Sequence, residues 1–271
     1  SLTPIVPQVI QGADLCTVHI KDRTIDVWVP RDASVVVIDD ITQSEHQQWV
    51  SRYLHFHIDN NAALTLVRQM SNKGVITDKI QVDVGTDAQF DLIQVHTGNN
   101  VARTEVTVHL DENSRANMTC LNILSYAAHG DFTTRIDHRA PSARSHQHIR
   151  NVVSGSSHAV YQGKVRVAQT AQQTTAVQSC KSILLSNAAE VDAKPEFEIY
   201  NDDVQCTHGV SNGTLDSDSL FYANARGIPP ETAQHMLIRA FVMADFAPAL
   251  PDAILQKMIA QMDQALIEVT A

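Results

Sequence analysis

Apolar and polar residues alternate at period two through much of the chain up to Gly213, and the alternation returns at a fixed interval. The stretch Leu54-His55-Phe56-His57-Ile58-Asp59-Asn60-Asn61-Ala62 recurs in kind at residues 80–88 and 106–113, each time as an alternating strand followed by a short Asp/Asn/Gly turn. Ile58, Val84 and Leu110 occupy equivalent places at equal intervals, and a fourth copy at 25–33 precedes them at a slightly longer one. A second strand follows each of the three later turns, over 64–67, 90–95 and 118–124. Successive side chains of a strand point to opposite faces, so Leu, Val, Ile and Phe gather on an inner face and His, Gln, Asp and Thr on an outer one. One unit cannot bury its apolar face alone. A period in the twenties with two short strands per unit therefore predicts a stacked β-solenoid rather than a sandwich of hairpins.

The pattern continues less regularly over 160–167, 176–178, 183–185 and 197–200, and the Gln- and Thr-rich run 169–175 reads as polar strand and turn within the same solenoid. After Gly213 the period changes. Ser217 is placed as the N-cap of a short helix through Ala225 that Gly227 stops; Pro229 and Pro230 then prepare a helix over 231–246. A third helix over 251–269 carries Leu255, Met258, Ile259, Met262 and Leu266 on one stripe. The division expected is a β-helix core over 1–213 and a helical subdomain over 214–271, with the helices packed against the open end of the solenoid to cover its bare strand edges.

Composition narrows the function classes. No apolar run approaches the roughly 20 residues of a membrane span, and no signal-peptide pattern opens the chain, so a cytoplasmic protein is expected. Ser1 in place of Met suggests a trimmed or processed chain. A net charge of -10 argues against nucleic acid as a partner. Charge is uneven, however: residues 132–181 hold seven basic side chains against the single acid Asp137. That stretch reads as the solvated outer face of a sheet or as a surface that steers an acidic partner. The four cysteines (Cys16, Cys120, Cys180, Cys206) are scattered with no CxxC pair, as free thiols would be.

Cys206 and His208 carry the most specific chemistry. Two residues apart on a strand, they share a face, and Gly209 lets the backbone turn away after them. A thiol and an imidazole so placed suit a soft metal or a cluster; the alternatives are a small buried hydrophobe and a turn histidine bonded to backbone. Two His-x-His pairs, His55/His57 and His146/His148, have the same-face spacing of metal ligands. For the first pair Leu54, Phe56 and Ile58 take the inner face, which leaves both imidazoles to solvent; the second pair has no nearby carboxylate, and both are read as solvated surface. No phosphate-binding loop, nucleophile elbow or dinucleotide fingerprint is present. Asp202 and Asp203 are adjacent and would face opposite ways on a strand, which argues against an acid/base pair.

The region 131–241 resembles the core of SufD-type iron–sulfur cluster assembly proteins, through Asp137-His138, Gly163-Lys164-Val165, Ala168-Gln169-Thr170, Leu184-Leu185-Ser186, Lys194-Pro195-Glu196-Phe197-Glu198-Ile199, Asp202-Asp203-Val204, Cys206, His208-Gly209, Gly213, Leu220-Phe221-Tyr222 and Arg226-Gly227-Ile228. The resemblance implies a mainly β fold, a right-handed parallel β-helix with a C-terminal α-helical subdomain. It also implies a non-catalytic scaffold that pairs through its β-helix with a SufB-type subunit and binds a SufC-type ATPase by its C-terminal helices, where Leu237 and Phe241 are the partner-binding candidates. The histidine matching His208 lies near the subunit interface in that family and is implicated in cluster formation with a cysteine of the SufB-type partner; Cys206 sits in the matching cysteine position. The iron–sulfur cluster would be transient and shared with that partner, with none expected in the isolated chain. Self-association as a homodimer through the same edge is a further expectation. Family members commonly carry a helical segment before the β-helix, whereas this chain reaches a strand pattern by about Val18, which marks a trimmed or short variant. The alternative reading is a metal-binding or carbohydrate-active β-solenoid enzyme.

Overall fold

The computed structural model describes residues 7–11, 16–41, 49–71, 74–98, 101–244 and 252–270. From the third strand onward, strands alternate between two eight-stranded sheets as the chain advances. One sheet holds, in spatial order, β1 (Gln8–Gln11), β4 (Ser34–Asp40), β6 (Ala63–Met70), β8 (Gln89–Gly98), β10 (Arg115–Leu124), β12 (Arg144–Val153), β14 (Thr174–Leu184) and β16 (Val204–Gly213). The other runs β2 (Thr17–Lys21), β3 (Thr24–Val29), β5 (Trp49–Ile58), β7 (Val75–Val84), β9 (Val101–Leu110), β11 (His129–His138), β13 (His158–Val167) and β15 (Glu190–Ile199). Apart from the antiparallel pairs β1–β4 and β2–β3, every neighbouring pair is parallel. This is a parallel β-solenoid, as the repeat predicts.

Register explains why the repeat fades along the sequence. The pairing interval is constant between β5, β7 and β9 (Leu54, Ile80, Val106) and lengthens at each of the next three steps of that sheet (Thr134, Gly163, Pro195). Longer turns absorb the difference while the strands stay stacked. At one corner of successive coils a single residue takes a left-handed conformation: Asp32, Asn61, Asp87, Asn113, Ser142 and Gln173, all with φ between 55° and 62°. Asp and Asn tolerate that region through local hydrogen bonding, which is why the turns read as Asp/Asn-rich where the repeat is clearest. The residue that follows is small and buried (Ala33, Ala62, Ala88, Ser114, Ala143), so the strand can re-enter the core closely.

The core is the solenoid's interior. Leu54, Phe56, Leu64, Leu66, Ile80, Val82, Phe90, Val106, Val108 and Phe132 are all essentially solvent-free, and each fully buried side chain of this kind is worth roughly 1.5–3 kcal/mol of transfer free energy. The N-terminal coils also bury four charges. Arg52 donates to Asp39 Oδ1 at 2.7 Å and to Asp78 Oδ2 at 2.6 Å, while Arg68 donates from Nε to Asp39 Oδ2 at 2.9 Å and from its guanidinium to Asp78. Arg68 reaches further, to Gln94 Oε1 at 2.9 Å and Thr104 Oγ1 at 3.2 Å, which stitches successive coils.

The helices α1 (Ser217–Ala225), α2 (Pro230–Met243) and α3 (Asp252–Thr270) follow. The cap of α1 is Asp216, whose Oδ2 accepts from the Ser219 amide at 2.9 Å; Ser217 is the first helical residue instead. Gly227, at φ 84°, ends that helix as expected. The positions expected to end the second helix and begin the third, Phe246 and Pro251, lie outside the described residues. The docking site differs from the expectation. Met258, Met262 and Leu266 of α3, with Ile238 and Val242 of α2, pack on Val67, Ile93, Val95, Leu121, Ile123 and Val152, on the outer face of one sheet rather than across an open end. The C-terminal halves of those strands are buried on both faces, with Arg68, Gln94, His96, Asn122 and Asn151 among the inner positions and these apolar residues outward, so an outer cover is what they require. Among the described residues no helix is long and apolar enough to cross a membrane.

Candidate functional site

β15 and β16 are the terminal strands of their sheets, so the C-terminal coil presents an open edge. Its polarity follows from the ladder. Glu190 N–H donates to Ser157 C=O and Tyr200 N–H to Val167 C=O, which points the backbone of the even-numbered residues of β15 at β13. The backbone of Val191, Ala193, Pro195, Phe197 and Ile199 therefore faces outward. Pro195 lacks an N–H on the side where no ladder bond within the chain needs one. Thr175 N–H is given to Ala143 on the far side, so its neighbours Thr174 and Ala176 face β16; paired with Val204 and Cys206, they leave the backbone of Val204, Cys206, His208 and Val210 outward as well.

Alternate side chains on this coil point into the mouth of the solenoid. Cys206 stacks on Ala176 and His208 on Gln178 in register, so the two share the inner face, as their spacing requires. Cys206 is half-buried and packs with Ala193, Phe197 and Val204 against the core. Burial pushes its thiol above the usual range, and a backbone hydrogen bond from Ala176 offsets only part of this, so the group is a neutral thiol at neutral pH. Ligation there calls for a metal ion or an incoming cation to draw off the proton. His208 is exposed, with its imidazole stacked on the Phe197 ring at 5.1 Å between centroids and 7° between planes. The stack holds the imidazole at the rim of the mouth. Sequence reasoning does not single out Phe197 as a site residue; its inner-face parity on the preceding strand is the available signal.

Two of the remaining thiols are poorer ligands. Cys120 and Cys180 lie in the core, with burial raising both, Cys180 to about 11; Cys16 is half-exposed and also raised by burial. One coil therefore offers one accessible thiol and one imidazole, fewer donors than an iron–sulfur cluster takes. Leu237 and Phe241 are half-buried and border a cleft of about 300 Å³ with Lys181, Ile183, Gly213 and Leu215. The Arg150 guanidinium sits 4.6 Å from the centroid of Phe241. Phe221 and Tyr222 on α1 are far more exposed than either, and sequence reasoning gives them no role.

Asp202 and Asp203 occupy the exposed turn before β16, and of the two only Asp202 borders the shallow cleft beside Gln169, Gln172 and Tyr200, where it is the lone carboxylate. His146 contacts Asn117 Oδ1 at 3.3 Å and stacks on His148, with no carboxylate against either ring among the described residues.

The SUF system FeS cluster assembly, SufBD core domain family matches residues 16–241 of the chain. The iron–sulfur cluster assembly protein SufD of Escherichia coli is 38% identical over 137 residues, which are 50% of this chain and 32% of that protein. The chloroplastic protein ABCI7 of Arabidopsis thaliana is 30% identical over 82% of this chain and 48% of its own length, and a SufBD family iron–sulfur cluster assembly protein of Synechocystis is 30% identical over 76% of this chain and 46% of its own. The chain thus spans from a third to about half the length of these relatives. With most of the solenoid and part of the helical region inside the matched span, the chain belongs to the SufBD family of the SUF iron–sulfur cluster assembly system and is of the SufD type.

Proposed function

We propose that the chain is a non-catalytic scaffold subunit in iron–sulfur cluster assembly, and that its open C-terminal coil pairs with the equivalent edge of a SufB-type subunit. The observation that carries this is the juxtaposition of unpaired backbone on two long terminal strands with Cys206, His208 and Phe197 at the mouth between them. An open edge of that length is a template for another strand. His208 and Cys206 then supply half of a site, and donors from the partner complete it, so the nascent cluster is held only while the two subunits are joined. The cluster is cargo, not a resident group of this chain.

A SufC-type ATPase is proposed to dock on the helical subdomain, beside Leu237 and Phe241 and over the exposed ring of Tyr222. Work in the cytoplasm is part of the same proposal; one relative is named as chloroplastic, so compartment differs between relatives. Without a SufB-type subunit, the same edge is proposed to pair two copies of this chain. Co-expression with SufB-type and SufC-type subunits, followed by affinity purification, is expected to recover all three together. Substituting Val210→Pro, which puts a second residue without an N–H at the open edge, should reduce recovery of the SufB-type subunit and leave the ATPase bound. Recovery of neither partner with folded chain would overturn the proposal.

A further inference from the structure

The outer face of the other sheet carries a second set of donors at the opposite end of the solenoid. Asp26 on β3 and His55 on β5 are register partners, and His57 and Asp83 follow on β5 and β7. The pair His55/His57, expected to be left to solvent, lies on the outer face but is partly covered: side-chain exposure is 17% for His55, 31% for His57, 28% for Asp26 and 38% for Asp83. Trp28 lies flat on the His57 ring at 4.9 Å and 7°, and His19 meets Trp28 edge-on, which walls the cluster on one side.

Hydrogen bonding fixes what each donor presents. His55 Nε2 is 2.7 Å from Asp83 Oδ2, so Nε2 carries the proton and donates it to the carboxylate. The other ring nitrogen, Nδ1, faces Asp26 Oδ1 at 3.6 Å, beyond a direct hydrogen bond, and in the neutral ring it presents a lone pair there. A neutral ring whose Nδ1 lone pair faces a carboxylate at that separation leaves room for a cation to bridge the two. Two ligand atoms each about 2.1 Å from a tetrahedral ion stand roughly 3.4 Å apart, close to the separation seen, whereas an octahedral ion would bring them to about 3.0 Å. One donor atom from each of Asp26, His55 and His57 lies within 4.8 Å of the other two, and the two imidazole centroids are 3.7 Å apart. A carboxylate bonded to the far nitrogen of a ligating histidine is the usual outer partner of such a site.

We propose that Asp26, His55 and His57 bind one divalent transition-metal ion of the Zn²⁺/Co²⁺ class in tetrahedral geometry, with Asp83 as the residue that orients His55 and a water completing the set. The ion joins β3 to β5 directly and β7 through Asp83, so it clamps the N-terminal coils from outside. The site shares no residue with the Cys206/His208 mouth and stands or falls separately from the assembly role proposed above.

The test is a titration of the chelator-treated full chain with Co²⁺, followed by visible absorption and by displacement with Zn²⁺. One Co²⁺ per chain with the intense d–d bands of a tetrahedral nitrogen/oxygen set is expected. His55→Ala and His57→Ala should each abolish those bands, Asp83→Asn should weaken binding about 10- to 100-fold, and His146→Ala should change nothing. All four side chains lie on the outer face, so the variants keep the far-ultraviolet dichroism of the native chain; a rise in melting temperature on adding Zn²⁺ should occur in the native chain and vanish in His55→Ala. Binding that persists in a His55→Ala/His57→Ala double variant, sulfur charge-transfer bands in place of d–d bands, or no saturable binding by the native chain would each overturn the proposal.

Discussion

At the N-terminal end of the solenoid the sheets finish in β1 and β2, short antiparallel strands, whereas at the C-terminal end they finish in β15 and β16, long strands paired parallel to their neighbours. Short reversed strands blunt an edge, and long flat ones advertise it. The interiors differ in the same sense. The N-terminal coils bury four charges that satisfy one another within the chain, while the C-terminal coil leaves a thiol, an imidazole and a phenyl ring at an open mouth. One end pairs its own buried charges and ends in short strands, and the other leaves two long strands and the mouth between them open. A solenoid has no intrinsic stop, and the joining proposed above falls at the end whose strands are left open.

The sharpest way to break this comparison is to remove one of the buried charges. Asp78→Ala removes one of the two buried carboxylates that Arg52 and Arg68 share, and should cost about 3–5 kcal/mol of stability by urea denaturation. A smaller loss under that test would mean that water reaches the N-terminal coils.

A pH effect of intermediate size comes from His138, buried beneath the corner of β11 with Nε2 2.9 Å from Ser145 Oγ. Burial holds its imidazole at about 4 against the ordinary 6.5, and Asp137 offsets only part of that. Above pH 6.5 both folded and unfolded chains carry a neutral ring. Between 6.5 and 4 only the unfolded chain takes up the proton, so stability falls as the pH drops, by up to about 3 kcal/mol at the lower limit. His138→Gln should flatten that part of the stability profile; an unchanged slope would assign the loss to other groups.

The smallest effect on stability is expected where function is proposed. His208→Ala removes an exposed ring stacked on Phe197 and should change unfolding free energy by less than about 1 kcal/mol, while cluster maturation in cells falls to the level of a strain lacking the chain. A destabilisation as large as that of Asp78→Ala would make His208 structural and erase the contrast between the ends.

Much of this fold is legible because the coils of β5, β7 and β9 repeat at a constant interval, so that Leu54, Ile80 and Val106 fall into line by eye. What stays hidden has identifiable causes. The burial of Arg52, Arg68, Asp39 and Asp78 breaks the rule that charges face outward, and nothing in a period-two pattern distinguishes a buried ion network from a solvated one. The docking site of α3 is not where the repeat alone suggests, because Ile93, Leu121, Ile123 and Val152 look like ordinary solenoid residues; only the doubled runs Leu92-Ile93, Ile123-Leu124 and Val152-Val153 signal apolar surface on both faces. At the mouth, the shared face of Cys206 and His208 follows from spacing alone, but the stack on Phe197 depends on a strand that pairs with its neighbour at the longest interval in the sheet. The cluster around His55 is invisible for the same reason: Asp26 and Asp83 come from adjacent coils, and only the register brings them to that imidazole.

Hydrogen exchange of peptides spanning 190–213, measured on the chain alone and with a SufB-type subunit, tests the account most directly. Outward-facing amides from Val191 to Val210 should exchange fast in the free chain and become protected in the complex, with little change over residues 17–40. A complex that forms without protecting 190–213 would contradict it.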